Sequence, residues 1–275
     1  MTSRNIIDTK PARTSAALKR RIGRFMVAPR YGPEVVNVLA RLSSLGRAAV
    51  FGGALRDLAL RGSGASPRDI DVVMECDSQQ ELSDFLAPYC PQRNKYGGFR
   101  FRTERWSFDV WRAQDTWAVR QGLVAAGSLD DLIRTTFFDW DAVLYEHRSG
   151  TLTVMPGYFT RLSSCVVDVN LLENPNPLGN LIRALRVLAR GRACLGPQLM
   201  IFAFDQLGRF GDREILAAEA KSFRHNCLSS GILTTSRTRL ESALERGEAS
   251  FGGYSPTQLE FDAVQSANKV SAAMD

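Results

Sequence analysis

Between Ala48 and Val73 the chain sets an apolar strand, a glycine pair, a short helix and then an acidic strand, and few folds accommodate that order. In Val50-Phe51-Gly52-Gly53-Ala54-Leu55-Arg56-Asp57, the strand runs into two residues without side chains. Bare backbone N–H groups there allow a phosphate to approach closely, and the field of a helix N-terminus favours it. In Arg68-Asp69-Ile70-Asp71-Val72-Val73, alternation along a strand puts Asp69 and Asp71 on one face and Ile70 and Val72 on the other. Two carboxylates side by side repel unless a cation lies between them. Hard oxygen ligands next to a phosphate favour Mg²⁺ or Mn²⁺.

Composition narrows the chemistry further. The chain has 275 residues, 44% of them apolar, enough for a substantial core in one large or two modest domains. Its two histidines, His147 and His225, leave almost no material for histidine metal sites or a Ser-His-Asp triad. Five cysteines, odd in number and without a C-x-x-C pair, argue for reduced thiols over a disulfide framework or zinc knuckle. With no long apolar run and no signal-peptide pattern, the expectation is a cytoplasmic protein without a membrane partner. The oligomeric state is left open. Charge is uneven: residues 1–47 carry ten Lys/Arg against Asp8 and Glu34, a balance of +8 in a chain whose net charge is +6. Such a basic arm tracks a phosphate backbone such as RNA, or is simply a solvated tail.

Further along, residues 33–45 read as a helix opened by Pro33 and closed at Gly46, and residues 79–87 as another, stopped by Pro88. Residues 98–103 and 106–111 each alternate around Glu104-Arg105, which predicts a hairpin with Asp109 on the face opposite Phe108 and Val110. On that hairpin an aspartate could simply pair with Arg100 or Arg102. After the turn-rich Asn174-Pro175-Asn176-Pro177, residues 178–190 are strongly helical, with Leu181, Leu185 and Leu188 on one side. The expected domains are a basic arm and helix (1–45), a head (46–170) and a helical C-terminal domain (171–275).

The pattern G-G-x-x-R-D followed by D-x-D resembles the nucleotidyltransferase head of bacterial poly(A) polymerases and of bacterial and eukaryotic CCA-adding enzymes. The resemblance covers roughly residues 46–195. It implies an α+β fold: a small mixed sheet flanked by helices, then a helical neck-like domain, with the active cleft between. It also implies transfer of a nucleoside monophosphate from an NTP to a hydroxyl, with Mg²⁺ or Mn²⁺. In those terms Gly52, Gly53 and Arg56 hold the triphosphate and Asp57 orients Arg56, while Asp69 and Asp71 bind metal. Asp109 is the third metal ligand or general base, in competition with the Asp139/Asp141 pair. Arg134, Asn180, Arg183 and Arg186 are the remaining nucleotide-binding candidates. The chain departs from the family in two places. Thr135-Thr136-Phe137 stands where R-R-D is usual, and the base-reading acidic pair and arginine fall on Asn176, Pro177 and Asn180. The acceptor the resemblance favours is RNA, perhaps a tRNA 3′ end. Alternatives are transfer to a protein or small molecule, as in a toxin-like enzyme, and a degenerate head that binds nucleotide or RNA without turnover.

Overall fold

A computed structural model describes residues 10–29, 32–62, 65, 67–191 and 193–252. The chain divides into two compact units, one running to Ser164 and including Asn170–Glu173, the other taking Cys165–Val169 and everything from Asn174 on.

In the first unit, α1 (Ser15–Val27) and α2 (Gly32–Leu42) precede β1 (Arg47–Phe51), α3 (Gly53–Arg61) and β2 (Ile70–Glu75). Then come α4 (Gln79–Leu86), β3 (Gln92–Arg93), β4 (Phe99–Arg102), β5 (Ser107–Arg112), α5 (Trp117–Arg120), β6 (Val143–Glu146), β7 (Thr151–Val154) and α6 (Tyr158–Ser164). The seven strands form one mixed sheet in the order β3-β4-β5-β2-β1-β6-β7, in which only β2 and β5 are parallel. The alternation read at β2 holds, with Ile70 and Val72 buried against the core. Val73 and Met74 are buried too, because β2 is a central strand covered on both faces beyond its first residues. A 3₁₀ segment, Leu129–Thr135, packs Leu129, Leu132 and Ile133 onto Val73, Ala49 and Leu144. The carboxylate face is therefore open only at the N-terminal end of β2.

Residues 10–27 are not a loose arm. Thr14 caps α1 by accepting from the Ala17 N–H, and Leu18, Ile22 and Phe25 follow at i, i+4 and i+7, all essentially buried. Arg21 is buried with them and donates to the carbonyls of Ala59 (2.6 Å) and Leu58 (3.3 Å), satisfying the last turn of α3. These contacts tie α1 to the helix that starts at the glycine pair. Residues 1–9 of the expected arm lie outside the described residues.

The second unit contains β8 (Val166–Val167), α7 (Pro177–Ala189), β9 (Cys194–Leu195), α8 (Pro197–Arg209), α9 (Asp212–Ser222) and α10 (Ser230–Glu245). Asn176 caps α7 and Pro177 occupies its first turn, as turn chemistry followed by a leucine stripe predicts. Among the described residues no helix is long and apolar enough to cross a membrane.

Candidate active site

At the end of β1, Gly52 adopts φ 66°, ψ −116°, a conformation open essentially to glycine alone, and its N–H donates to the Val143 carbonyl at 2.9 Å. A β-carbon at Gly52 would meet nothing closer than 3.6 Å, so it is the backbone and not the available space that selects glycine. Gly52→Ala is therefore expected to destabilise the first unit by about 1–3 kcal/mol, read as a lowered thermal midpoint. A midpoint equal to that of the unsubstituted chain would show that this turn relaxes without strain.

Arg56 folds back over Gly53, its guanidinium 3.7 Å from where a β-carbon would sit. Nη1 donates to Asp141 Oδ1 at 2.5 Å, and Nε and Nη2 donate to Asp57 Oδ1 at 3.1 and 2.9 Å. Burial alone would favour the neutral guanidine, but Asp141 and Asp57 outweigh it and raise the Arg56 pKa well above its ordinary value. Two of its five N–H groups remain outside these bonds.

Asp139 and Asp141 do not form a strand pair. They flank a 3₁₀ turn, Asp139–Asp141, and face different arginines: Asp141 meets Arg56, and Asp139 Oδ2 lies 3.0 Å from Arg161 Nε without hydrogen-bond alignment. Tyr158, 1% exposed, donates its hydroxyl to the Trp140 carbonyl at 3.1 Å and holds the turn in place. Asp109 is placed quite differently. Asp71 and Asp109 are direct register partners on the parallel strands β2 and β5, side chains on one face and strands about 4.8 Å apart. Of the competing acids, Asp109 is the one set beside the D-x-D unit. Asp69 immediately precedes β2, its side chain one third exposed and its Oδ2 3.7 Å from Arg68 Nη2.

Asp109 is buried, and Arg100 on β4 clamps it: Nε lies 2.9 and 3.1 Å from its two oxygens and Nη2 lies 2.6 Å from Oδ2. Among the described residues no group of three or more Cys, His, Asp or Glu side chains stands ready to hold a metal ion. The donor chemistry nonetheless suits a hard divalent cation, since Asp71 and Asp109 present carboxylate oxygens on one face of adjacent strands and Asp69 stands two residues before Asp71.

Of the remaining candidates, Arg134 belongs to the first unit and the others to the second. Arg134 is exposed and bound to Asp131 on its own 3₁₀ segment. Where the family carries arginines, Thr136 is buried, donates to the Phe138 carbonyl at 2.9 Å and accepts from Asn170 Nδ2 at 3.1 Å, a structural knot that presents no cation. Asn180, Arg183 and Arg186 belong to the second unit, where Asn180 is buried in the first turns of α7. Arg186, expected at the nucleotide, is 5% exposed and ion-paired with the wholly buried Glu219. It also donates to the His225 carbonyl at 2.9 Å and sits 3.9 Å over the Phe223 ring, so its guanidinium is consumed in the core of that unit. The Arg56–Asp141 pairing had no signal in the sequence, because the two residues are 85 positions apart.

No protein-family model and no curated protein matches the sequence. Solved structures do match. The chain is similar to a CCA-adding enzyme in complex with CTP (17% identity, TM-score 0.58, 88% of this chain and 59% of that one). It is similar to the same extent to the Thermotoga maritima CCA-adding enzyme complexed with tRNA (17%, 0.58, 88% and 58%). A tRNA nucleotidyltransferase complexed with a primer tRNA and an incoming ATP analog is also similar (18%, 0.50, 78% and 62%). The chain spans about three fifths of the length of these structures. The fold is thus that of a nucleotidyltransferase head with a helical region after it.

Proposed function

We propose that the chain is a metal-dependent nucleotidyltransferase that moves a nucleoside monophosphate from an NTP to a hydroxyl, the new O–P bond forming as the bond to the β-phosphate breaks and pyrophosphate leaves, with RNA, such as a tRNA 3′ end, as the acceptor. The observation that carries this reading is the juxtaposition of Asp71 with Asp109 on a sheet whose β1–α3 junction is a glycine turn. With Gly52 shaping the turn, the Gly53 N–H and the Arg56 N–H groups left over from its carboxylate bonds would bind the triphosphate, with Asp57 fixing the guanidinium. Asp69, Asp71 and Asp109 would hold Mg²⁺ or Mn²⁺, which when bound supplies charge neutralisation at the phosphoryl oxygens. Asp109, next to the acceptor, would orient its hydroxyl and take its proton. Most of the rate enhancement then comes from positioning. Incubation with each labelled NTP, Mg²⁺ or Mn²⁺ and total cellular RNA tests the reading: label should enter the RNA fraction. Label in protein or a small molecule would replace RNA as acceptor. No label anywhere would favour a head that binds without turnover, the reading that Thr135-Thr136 supports by replacing two phosphate-binding arginines.

The outer face of α1 suits the RNA strand. Arg13, Lys19, Arg20 and Arg24 are exposed, and residues 10–29 contain no acid to offset them. Leu18, Ile22 and Phe25 are locked in the core, so the helix has no apolar face to lay on a lipid surface. Lys19→Glu with Arg20→Glu and Arg24→Glu is expected to weaken RNA binding and to reduce the slope of log K against log salt by about one for each phosphate the helix no longer neutralises. Arg21 is left in place because it ties α1 to α3. An unchanged slope would leave α1 as a solvated face.

A further inference from the structure

Arg100 borders the acid cluster on β4 and has no role in the transfer described above. The strand register sets Arg100 opposite Asp109 and Asp109 opposite Asp71, so the three side chains cross three adjacent strands on one face of the sheet. Both oxygens of Asp109 are bound by the guanidinium, in a forked geometry with contacts of 2.6–3.1 Å. Asp109 needs that partner, because its side chain is 11% exposed and a buried carboxylate without a counter-charge is costly. Arg100 is thus the cation bonded to Asp109, while Asp69 Oδ2 lies 3.7 Å from Arg68 Nη2. The Arg100 side chain is 57% exposed on a strand near the sheet edge, so it can swing into water without opening the core.

We propose that Arg100 is the resident counter-ion of Asp109, a positioning residue that holds this carboxylate until a divalent cation entering at Asp69 and Asp71 takes it over. The proposal rests on the reading that these carboxylates hold a metal. It accounts for the forked contact that joins Asp109 to β4. It also means that metal affinity is set by a competition between the ion and Arg100.

The test measures Mn²⁺ binding to the nucleotide-free full chain, from the electron-paramagnetic-resonance signal of the unbound ion. Arg100→Gln should bind Mn²⁺ about tenfold more tightly than the unsubstituted chain, and its thermal midpoint should rise more on adding Mn²⁺. Arg100→Lys keeps the charge but loses the fork, so it should fall between the two. Asp71→Asn should bind weakly in either background. Equal or weaker binding by a folded Arg100→Gln chain would overturn the proposal and leave the metal reading standing. If Arg100→Gln does not fold, Arg100→Lys decides by the same comparison. Binding by the Arg100→Gln chain alone would be the strongest support, since the guanidinium then excludes the ion. Absence of Mn²⁺ binding from every chain would overturn the metal reading and the proposal with it.

Discussion

Asp69→Ala combined with Asp71→Ala is expected to abolish incorporation of labelled nucleotide while leaving the chain folded. Coordinated cations contribute several kcal/mol of charge stabilisation to phosphoryl transfer, and each 1.36 kcal/mol is a factor of ten, so the loss should be about a thousandfold or more. Stability should hold because Asp69 lies outside β2 and is one third exposed, while Asp71 stands at the open end of the sheet face. Removing two neighbouring carboxylates also relieves their mutual repulsion, so the thermal midpoint should stay level or rise. A double variant with full activity would refute the assignment of these acids. Loss of cooperative unfolding would make them structural.

The second large effect concerns stability and separates Arg186 from the nucleotide. Arg186→Met leaves Glu219 fully buried, with the N–H groups of Cys227 (3.0 Å) and Leu228 (3.1 Å) but no cation to meet its charge. Breaking a buried pair by removing one partner costs about 3–5 kcal/mol, and the stacking of the guanidinium on Phe223 goes with it. Hydrogen exchange across α7 and α9 should accelerate by two to three orders of magnitude on that scale. Arg186→Met with Glu219→Leu should recover much of the stability, because a hydrophobic pair of similar volume avoids the desolvation penalty. If Arg186→Met instead leaves exchange unchanged and weakens NTP binding, the resemblance-based placement at the nucleotide would be right and the burial argument wrong.

The same contrast runs through the whole molecule. Elements whose cause is local were legible: the glycine turn, because φ 66° with ψ −116° admits little else, the capped α7, and the β4–β5 hairpin, because alternation at period two fixes which residues share a face. Helix α1 was legible in principle from Leu18, Ile22 and Phe25. Its five neighbouring cations drew the reading toward a basic arm, RNA-tracking or merely solvated, although Arg21 alone among them is buried.

Which acid meets which cation was decided by tertiary structure alone. With 35 Lys/Arg and 29 Asp/Glu, the composition permits a great many ion pairs, and sequence distance says nothing about which form. Arg56 reaches Asp141 across 85 positions and Arg186 reaches Glu219 across 33, because folding brings α3 to the Asp139–Asp141 turn and α7 to α9. The different surroundings of Asp109 and of the Asp139/Asp141 pair arise in the same way. All three lie near strands and all three are buried, but only the parallel pairing of β2 with β5 sets a carboxylate opposite Asp71. A one-residue shift in that register would have turned Asp109 to the other face of the sheet. The sequence by itself determined the chemistry on offer, a glycine turn and a set of carboxylates, because backbone conformation and strand alternation are local. Strand register and burial, which depend on partners distant in the chain, decided which of those carboxylates stand together and which arginine holds them.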